Sequence, residues 1–485
     1  DFTVSGERFP DLPGLVSDMK KEGIHLVPII DAGVKIEEGY SVYEEGVKNN
    51  YFCKEADGTD FVGAVWPGRA HFPDVLNPEV RRWFGRKYKY LLDMGIEGFW
   101  NDMNEPALFY SEKRLKKVFE ELEKFKGQNL DLEKNNAFLG LVNTLANNPE
   151  DYRSFYHEPG NGREKVRHDK VHNLYGYNMT RAAEEAFEEL EPDKRILLFS
   201  RSSYVGMHRY GGIWQGDNTS WWSHLELNIK MMPSLNMCGF LYTGADLGGF
   251  NADTTEDLLL RWLQFGIFTP LMRNHSAMGT REQEAYRFSN REALKRTIQL
   301  RYCLLPYLYS EYMKAALKDT MMFRPLAFDY PEDPWAAQVE DQLMLGDSLM
   351  LAPVYRQNAL GRYVYLPEDM LLITSSGPED FRCRKMKAGH HYVKAAAEEV
   401  IFFLRKGQLL PLAAPAANVA ETDTSHLTVI AYPGEDCSYT LYEDDGISRN
   451  YGSPDNYETI TVNRVGIASC YGHRNRTVCA IKIKD

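Results

Sequence analysis

The sequence predicts an α/β protein: a (β/α)8 TIM-type barrel followed by two β-sandwich domains. Apolar strand-like runs alternate with helix-spaced stretches through the first two thirds of the chain, and polar residues stand where those runs end. After about Asp319 the helical spacing stops, and short β-branched and aromatic runs follow, separated by Gly, Pro and Asp clusters.

Residues 24–30 form a short apolar run ending in Asp31; residues 78–94 have helical spacing, and Gly95 then resets the chain. Further strands are expected near 98–102, 196–200, 213–215, 238–243 and 267–272, with helices over 173–190, 223–235, 255–265 and 291–316. This alternation implies a parallel sheet covered on both faces. Six strands are counted where a closed barrel needs eight. Because the chain opens on Asp1-Phe2, the first two strands are expected to lie before it. The barrel is assigned to 1–318, with a charged, strandless helical insertion at about 111–151 whose charge pattern suits a solvated hairpin better than a subsite or an oligomer contact. A proximal sandwich over 319–407 is expected from runs at 348–354, 361–366 and 400–404. A distal one over 408–485 is expected from runs at 427–432 and 438–442, with a Pro- and Ala-rich break at 406–424.

Bulk properties narrow the function. At 485 residues, with 44% hydrophobic and 26% charged residues, the chain has the balance of a soluble globular protein of two to four domains at about 150 residues each. A net charge of −13 repels phosphate backbones, and no basic stripe alternates with aromatics, so no nucleic-acid partner is expected. No run approaches the length of a membrane span, and no charged-then-apolar signal opens the chain. Seven widely spread cysteines without a Cys-x-x-Cys pair suit reduced thiols, with Cys470 and Cys479 the pair that an oxidising compartment would join. A cytoplasmic location is therefore expected, and the sequons at Asn178 and Asn218 are read as accidental. His168 and His172 are four apart but lack a third ligand, and read as a solvated turn. No phosphate-binding glycine loop is present, and no cofactor or metal is called for.

The chemistry is expected at the strand ends. Asp31, Trp100 with Asp102, Arg201, Trp214 with Asp217, Asp246 and His275 all follow strand-like runs. Trp100 and Asp102 are two apart, so an extended backbone points both to one face. An indole packs on the C–H face of a pyranose while carboxylates bind its hydroxyls. Two carboxylates on separate strand ends, amid Trp and Arg, are what glycoside hydrolysis requires.

Two longer segments sharpen this. Gly98-Phe99-Trp100-Asn101-Asp102-Met103-Asn104-Glu105-Pro106 resembles the nucleophile signature of glycoside hydrolase family 31, and the segment from Arg209 to Trp221 resembles the same family's acid/base region. Pro28 to Asp31, Arg201-Ser202, Gly244 to Phe250, Arg273-Asn274-His275, Gly346 to Val354 and Leu441 to Gly446 extend the resemblance over essentially the whole chain. The resemblance implies Asp102 as nucleophile and Asp217 as general acid/base of a retaining α-glucosidase, with the pKa of Asp217 raised. It implies that Arg201, Asp246 and His275 hold the hydroxyls of the −1 sugar, and that Ile29, Trp66, Trp100, Met103, Trp214 and Phe250 line its pocket. Glu105 is read as a loop brace. The family's acidic residue after the second strand and its N-terminal β-sandwich would lie before Asp1.

The expected partner is a small carbohydrate, an α-linked glucose disaccharide such as maltose or isomaltose or a short oligosaccharide; homo-oligomerisation is left open. Within the family an α-xylosidase, glucan lyase, sulfoquinovosidase or transglucosylase would share both motifs. Outside enzymes, the rival is a carbohydrate-binding homologue without turnover, against which the presence of both Asp102 and Asp217 speaks.

Overall fold

The computed structural model describes residues 1–432 and 436–481. The last four residues of the expected distal sandwich, 482–485, lie outside the described residues. The chain divides into two compact units, Asp1–Gly211 and Gly212–Asp485.

In the first unit three parallel strands lie side by side: β1 (Ile29–Asp31), β2 (Gly98–Asp102) and β3 (Leu197–Ser200), with β2 in the middle. Four of the five β2 residues are buried, as a central parallel strand requires. The register sets Ile29 and Phe199 opposite Trp100 and sets Asp31 opposite Asp102, so two carboxylates end neighbouring strands. The helix Pro78–Lys87 starts on Asn77, whose side chain accepts from the Glu79 amide, and proline at the first position costs it no hydrogen bond. The expected helix over 78–94 is broken at Tyr88, with a short second piece at Lys89–Leu92. Helix Leu174–Leu190 runs close enough to the first that a Cβ on Gly85 would lie 2.1 Å from the Ala182 carbonyl oxygen. Phe99 of β2 stacks on Phe187 of that helix at 5.3 Å, and Tyr88 meets Phe99 edge-on at 5.1 Å. Full burial of each such ring contributes about 1.5–3 kcal/mol. The one polar side chain in the middle of β2, Asn101, accepts the Tyr88 hydroxyl at 2.5 Å.

Two small antiparallel sheets went unpredicted. One joins Val34–Lys35, Gly68–His71, Gly63–Val65 and Tyr110–Ser111; the other joins Lys54–Glu55, Phe155–His157 and Val166–Arg167. Strands of two to four residues are too short to show a period. The expected insertion is helical, with Glu112–Leu122, Leu132–Asn143 and Pro149–Tyr152, and the middle helix buries no residue, in keeping with a solvated hairpin.

In the second unit the helices Trp222–Met237, Glu256–Gly266 and Arg291–Leu317 form where expected. The expected strands at 238–243 and 267–272 do not. Their apolar residues terminate helices instead: Cys238 caps one helix with Gly239 left-handed behind it (φ 91°), and Ile267 caps the next. A short apolar run is as compatible with a buried helix end as with a strand. Just beyond those ends, extended chain pairs without a named strand, through Ile213 N–H to the Tyr242 carbonyl (3.1 Å), Gln215 N–H to Gly244 (2.9 Å) and Leu271 N–H to Thr243 (3.2 Å). Gly244 permits this approach, since a Cβ there would lie 1.9 Å from the Leu271 carbonyl oxygen. Among the described residues no closed eight-stranded barrel is formed.

Beyond residue 319 a six-stranded sheet has the order Phe323–Pro325, Leu343–Leu345, Leu349–Leu351, Val400–Arg405, Met370–Ser375, Phe381–Met386, beside a two-stranded antiparallel sheet of Gly361–Leu366 and Gly389–Lys394. Alternation divides its side chains. Met344, Met350, Leu372, Ile401 and Phe403 share one core with Val364, Leu366 and Val393 of the two-stranded sheet. Leu343, Leu345, Leu349, Leu351, Ile373, Phe402 and Leu404 face the core built on the long helices. Two three-stranded sheets follow, one of them containing Leu409–Leu412, a strand where a break was expected. Cys53, Cys303 and Cys437 are buried, whereas Cys238 and Cys479 are exposed.

Candidate active site

Asp102 is the last residue of β2, its side chain 16% exposed. Its Oδ1 accepts the Met103 amide at 2.8 Å. Met103 is itself left-handed (φ 54°), a conformation few residues other than glycine adopt, and is buried. Arg201 enters from the end of β3, where its own amide donates to the Asn101 carbonyl at 3.0 Å. The guanidinium fork serves two carboxylates: Nε and Nη2 donate to Glu105 Oε1 and Oε2 at 3.0 and 2.8 Å, and Nη1 lies 3.2 Å from Asp102 Oδ1. Glu105, read from sequence as a brace, is the group that orients Arg201. Trp100 is buried with its ring parallel to Phe199 at 5.9 Å. Ile29 is exposed and pairs in register with Trp100; Trp66 stands 67% exposed on the turn between Gly63–Val65 and Gly68–His71, its ring edge-on to Phe109 at 5.0 Å.

The second unit gathers another set. Asp246 is fully buried, and Oδ1 accepts Nε and Nη2 of Arg273 at 2.8 and 2.5 Å. The same guanidinium lies over the Trp214 ring, 5.0 Å from its centroid. Phe250 and His275 stack at 5.1 Å, and burial followed by the Arg273 charge pulls His275 down to about 4, leaving it neutral at neutral pH. Asn218 ties the chain carrying Asp217 to the loop carrying Asp246 and Phe250: its Nδ2 donates to the Asp246 carbonyl at 3.0 Å, and its Oδ1 accepts the Phe250 amide at 2.9 Å. Gly249 is left-handed (φ 99°), and a Cβ there would meet the Ser220 backbone at 2.4 Å. From the sequence, Arg273 stands only as a motif neighbour, and Asn218 only as a motif neighbour and sequon residue. Both sequon residues, Asn178 and Asn218, are buried.

A family model described as the glycosyl hydrolases family 31 TIM-barrel domain matches residues 1–311, and one for the family's C-terminal domain matches 319–410. The chain belongs to glycoside hydrolase family 31. It is 34% identical over 459 residues to alpha-glucosidase 2 of Bacillus thermoamyloliquefaciens, covering 94% of this chain and 53% of that protein. Among solved structures it is similar to the glucosidase II alpha subunit (TM-score 0.80, 26% identity, 99% of this chain and 49% of that one). It is also similar to the Flavobacterium johnsoniae family 31 dextranase complexed with glucose (TM-score 0.76, 26% identity, 93% and 52%). The chain spans about half the length of the curated relatives it matches.

This family 31 chain also holds a buried polar cluster away from the carboxylate at β2. Cys53, Asp74 and His157 offer three ligand atoms within 4.8 Å of one another. They are already satisfied as hydrogen-bond partners: His157 Nδ1 lies 2.7 Å from Asp74 Oδ1, and the Cys53 thiol, pushed well up by burial and then by Asp74, donates to the Pro73 carbonyl at 3.9 Å. A metal would have to break the first contact and strip the thiol of its proton. His168, expected on a solvated turn, is fully buried between His157 and His172, because it stacks on Phe155 at 4.4 Å.

Asp31 gives the first test. Burial, and then the Asp102 charge opposite it, raise its pKa to about 6, with Arg201 acting the other way. A carboxyl raised in the folded state favours folding below about pH 4 and loses that contribution as pH climbs through 6. Asp31→Asn removes the titration. The variant's melting temperature is therefore expected to gain on wild type between pH 4 and pH 7, equivalent to at most about 3 kcal/mol for two pKa units. A constant difference across that range would deny the shift.

Proposed function

We propose that the full-length protein is a retaining α-glucosidase that releases α-glucose from the non-reducing end of short α-glucosides such as maltose or isomaltose. The observation that carries this is the Arg201 fork, which puts a positive charge 3.2 Å from Asp102 at a strand end and anchors it on Glu105. An unprotonated carboxylate beside a fixed cation is the form that attacks an anomeric carbon. In this reading Asp102 displaces the leaving group while Asp217 gives its proton to the glycosidic oxygen. Asp217 then takes a proton from water, whose oxygen displaces Asp102. Two inversions return the α-anomer.

Arg201, Asp246 and His275 bind hydroxyls of the −1 sugar, and Ile29, Trp66, Trp100, Met103, Trp214 and Phe250 shape its pocket. A neutral His275 supports this, offering one donor and one acceptor as sugar hydroxyls do. The names of the relatives, alpha-glucosidase 2 and a dextranase complexed with glucose, favour glucose over xylose. The same reading divides the chain into a catalytic barrel over 1–318 with an insertion at 111–151, and two β-sandwiches over 319–407 and 408–485.

The test is hydrolysis of p-nitrophenyl α-D-glucopyranoside, maltose, isomaltose and an aryl α-xyloside by the full-length protein, with proton NMR of the first sugar released. α-Glucose before mutarotation is the expected product. β-Glucose first would reject the retaining mechanism, and faster release of xylose would reject the glucosidase assignment.

A further inference from the structure

The residues that end β2 hold the Arg201 segment at several points, and Asn104 holds it without meeting the guanidinium contacts already described. Arg201 donates its backbone amide to the Asn101 carbonyl at 3.0 Å, its Nη1 lies 3.2 Å from Asp102 Oδ1, and Glu105 accepts from Nε and Nη2. Asn104 lies between those two carboxylates in the chain, and its side chain bonds the residues on either side of Arg201. Its Oδ1 accepts the Ser202 amide at 3.0 Å, and its Nδ2 donates to Ser200 Oγ at 2.8 Å. Ser200 Oγ donates in turn to the Ser202 carbonyl at 2.8 Å, which closes a ring of hydrogen bonds around the Arg201 backbone.

The direction of each bond in this ring follows from atoms that do not titrate. A backbone N–H can only donate, so the Asn104 atom facing Ser202 is its oxygen and the one facing Ser200 is its nitrogen. A carbonyl can only accept, so the Ser200 hydroxyl proton points at Ser202 and its oxygen is left to receive Asn104. An ionised aspartate at 104 could not supply that donor. Asn104 and Ser200 are fully buried, so a bond lost here is not replaced by bulk water.

The helix Leu174–Leu190 backs this ring. Gly176 lies inside it, where glycine is a poor helix former and calls for a packing reason. A Cβ at Gly176 would lie 2.6 Å from Ser202 Cβ and 2.9 Å from the Asn104 carbonyl oxygen, so the helix backbone packs directly on both partners. Arg201 is thus fixed at its backbone by Asn104 and at its guanidinium by Glu105, two consecutive residues of one loop. A long, rotatable side chain needs both ends fixed if one of its nitrogens is to stay 3.2 Å from Asp102. We propose that Asn104 is a positioning residue for the glycosidase reaction: its amide locks the chain on both sides of Arg201 and thereby holds the guanidinium against Asp102.

This inference rests on the glycosidase reading, and the experiment separates the two. With the full-length protein and p-nitrophenyl α-D-glucopyranoside, Asn104→Ala is expected to lose about 10- to 100-fold in kcat/KM, mostly in kcat, the scale on which a misplaced group beside the reacting atoms is felt. In an Arg201→Ala background the same substitution should cost about twofold or less, because it acts through a side chain already gone. An undiminished Asn104→Ala, or a full loss repeated in the Arg201→Ala background, would overturn the inference and leave the glycosidase reading standing. No turnover by wild type would sink the glycosidase reading and this inference with it. Should Asn104→Ala not fold, Ser200→Ala removes one hydroxyl from the same ring and should show the same dependence on Arg201. Where Arg201→Ala is too slow to complete the cycle, Asp31 decides. The Arg201 charge lowers the Asp31 pKa, so in Asn104→Ala the Asp31 carboxyl should titrate above its value of about 6 in carbon-13 spectra, and an unchanged titration would overturn the inference.

Discussion

Asp102→Ala is expected to cut kcat/KM for p-nitrophenyl α-D-glucopyranoside by about 100,000-fold in the full-length protein, the scale on which removal of an attacking group is felt. The fold should survive. Arg201 keeps both of its bonds to Glu105, at 2.8 and 3.0 Å, so deleting Asp102 does not leave a guanidinium without a partner. Added azide should restore turnover by filling the space the carboxylate left. It attacks from the face Asp102 would have used, and a single inversion gives β-glucosyl azide. The α-azide as the product, or residual activity above about 1% of wild type, would remove Asp102 from the role of nucleophile. A second signal needs no substrate: the Asp102 charge is the second cause of the high Asp31 pKa, so in the variant Asp31 should titrate below its value of about 6.

What was legible in the sequence, and what was not, follows from the range of the interactions. β2 was read to its bounds, Gly98–Asp102, because a strand buried on both faces shows as a continuous apolar run with its polar residues at the end. The same rule misread 238–243 and 267–272, where the apolar residues cap helices, and only the neighbouring chain decides between the two. The alternating faces of the six-stranded sheet are visible in Leu371-Leu372-Ile373 and Ile401-Phe402-Phe403 only once their partners are known, since both faces are apolar. At the candidate site, Asp102, Arg201 and Trp100 were found through motifs and strand ends. Glu105 was named but its grip on Arg201 was not foreseen, and Arg273 was overlooked as the partner of Asp246, because a buried ion pair between residues 27 apart leaves no local trace. The burial of His168 was missed for the same reason. His168 looks exposed among Arg167, Asp169 and Lys170, and its burial depends on Phe155, which a short antiparallel strand places against it.

Asp217→Ala should instead separate substrates by their leaving groups. p-Nitrophenolate departs without a proton, whereas the glucose leaving from maltose needs one, so the general acid matters far more for the disaccharide. The expected loss in kcat/KM is roughly 1,000-fold for maltose and about tenfold for the aryl glucoside. Three bonds that hold this segment stay in place in the variant: Asn218 donates to the Asp246 carbonyl and accepts the Phe250 amide, and the Asp217 backbone carbonyl accepts from Asn251. With the general base also gone, hydrolysis of the glycosyl-enzyme on Asp102 becomes the slow step, so the aryl substrate should show a burst of p-nitrophenolate followed by a slow steady state. Azide needs no base, and its attack on the intermediate completes a second inversion. It should raise the steady-state rate and give α-glucosyl azide, the opposite anomer to that from Asp102→Ala. Equal losses on both substrates, with no burst and no response to azide, would show that Asp217 is not the acid/base, and the proton would then have to come from another carboxyl.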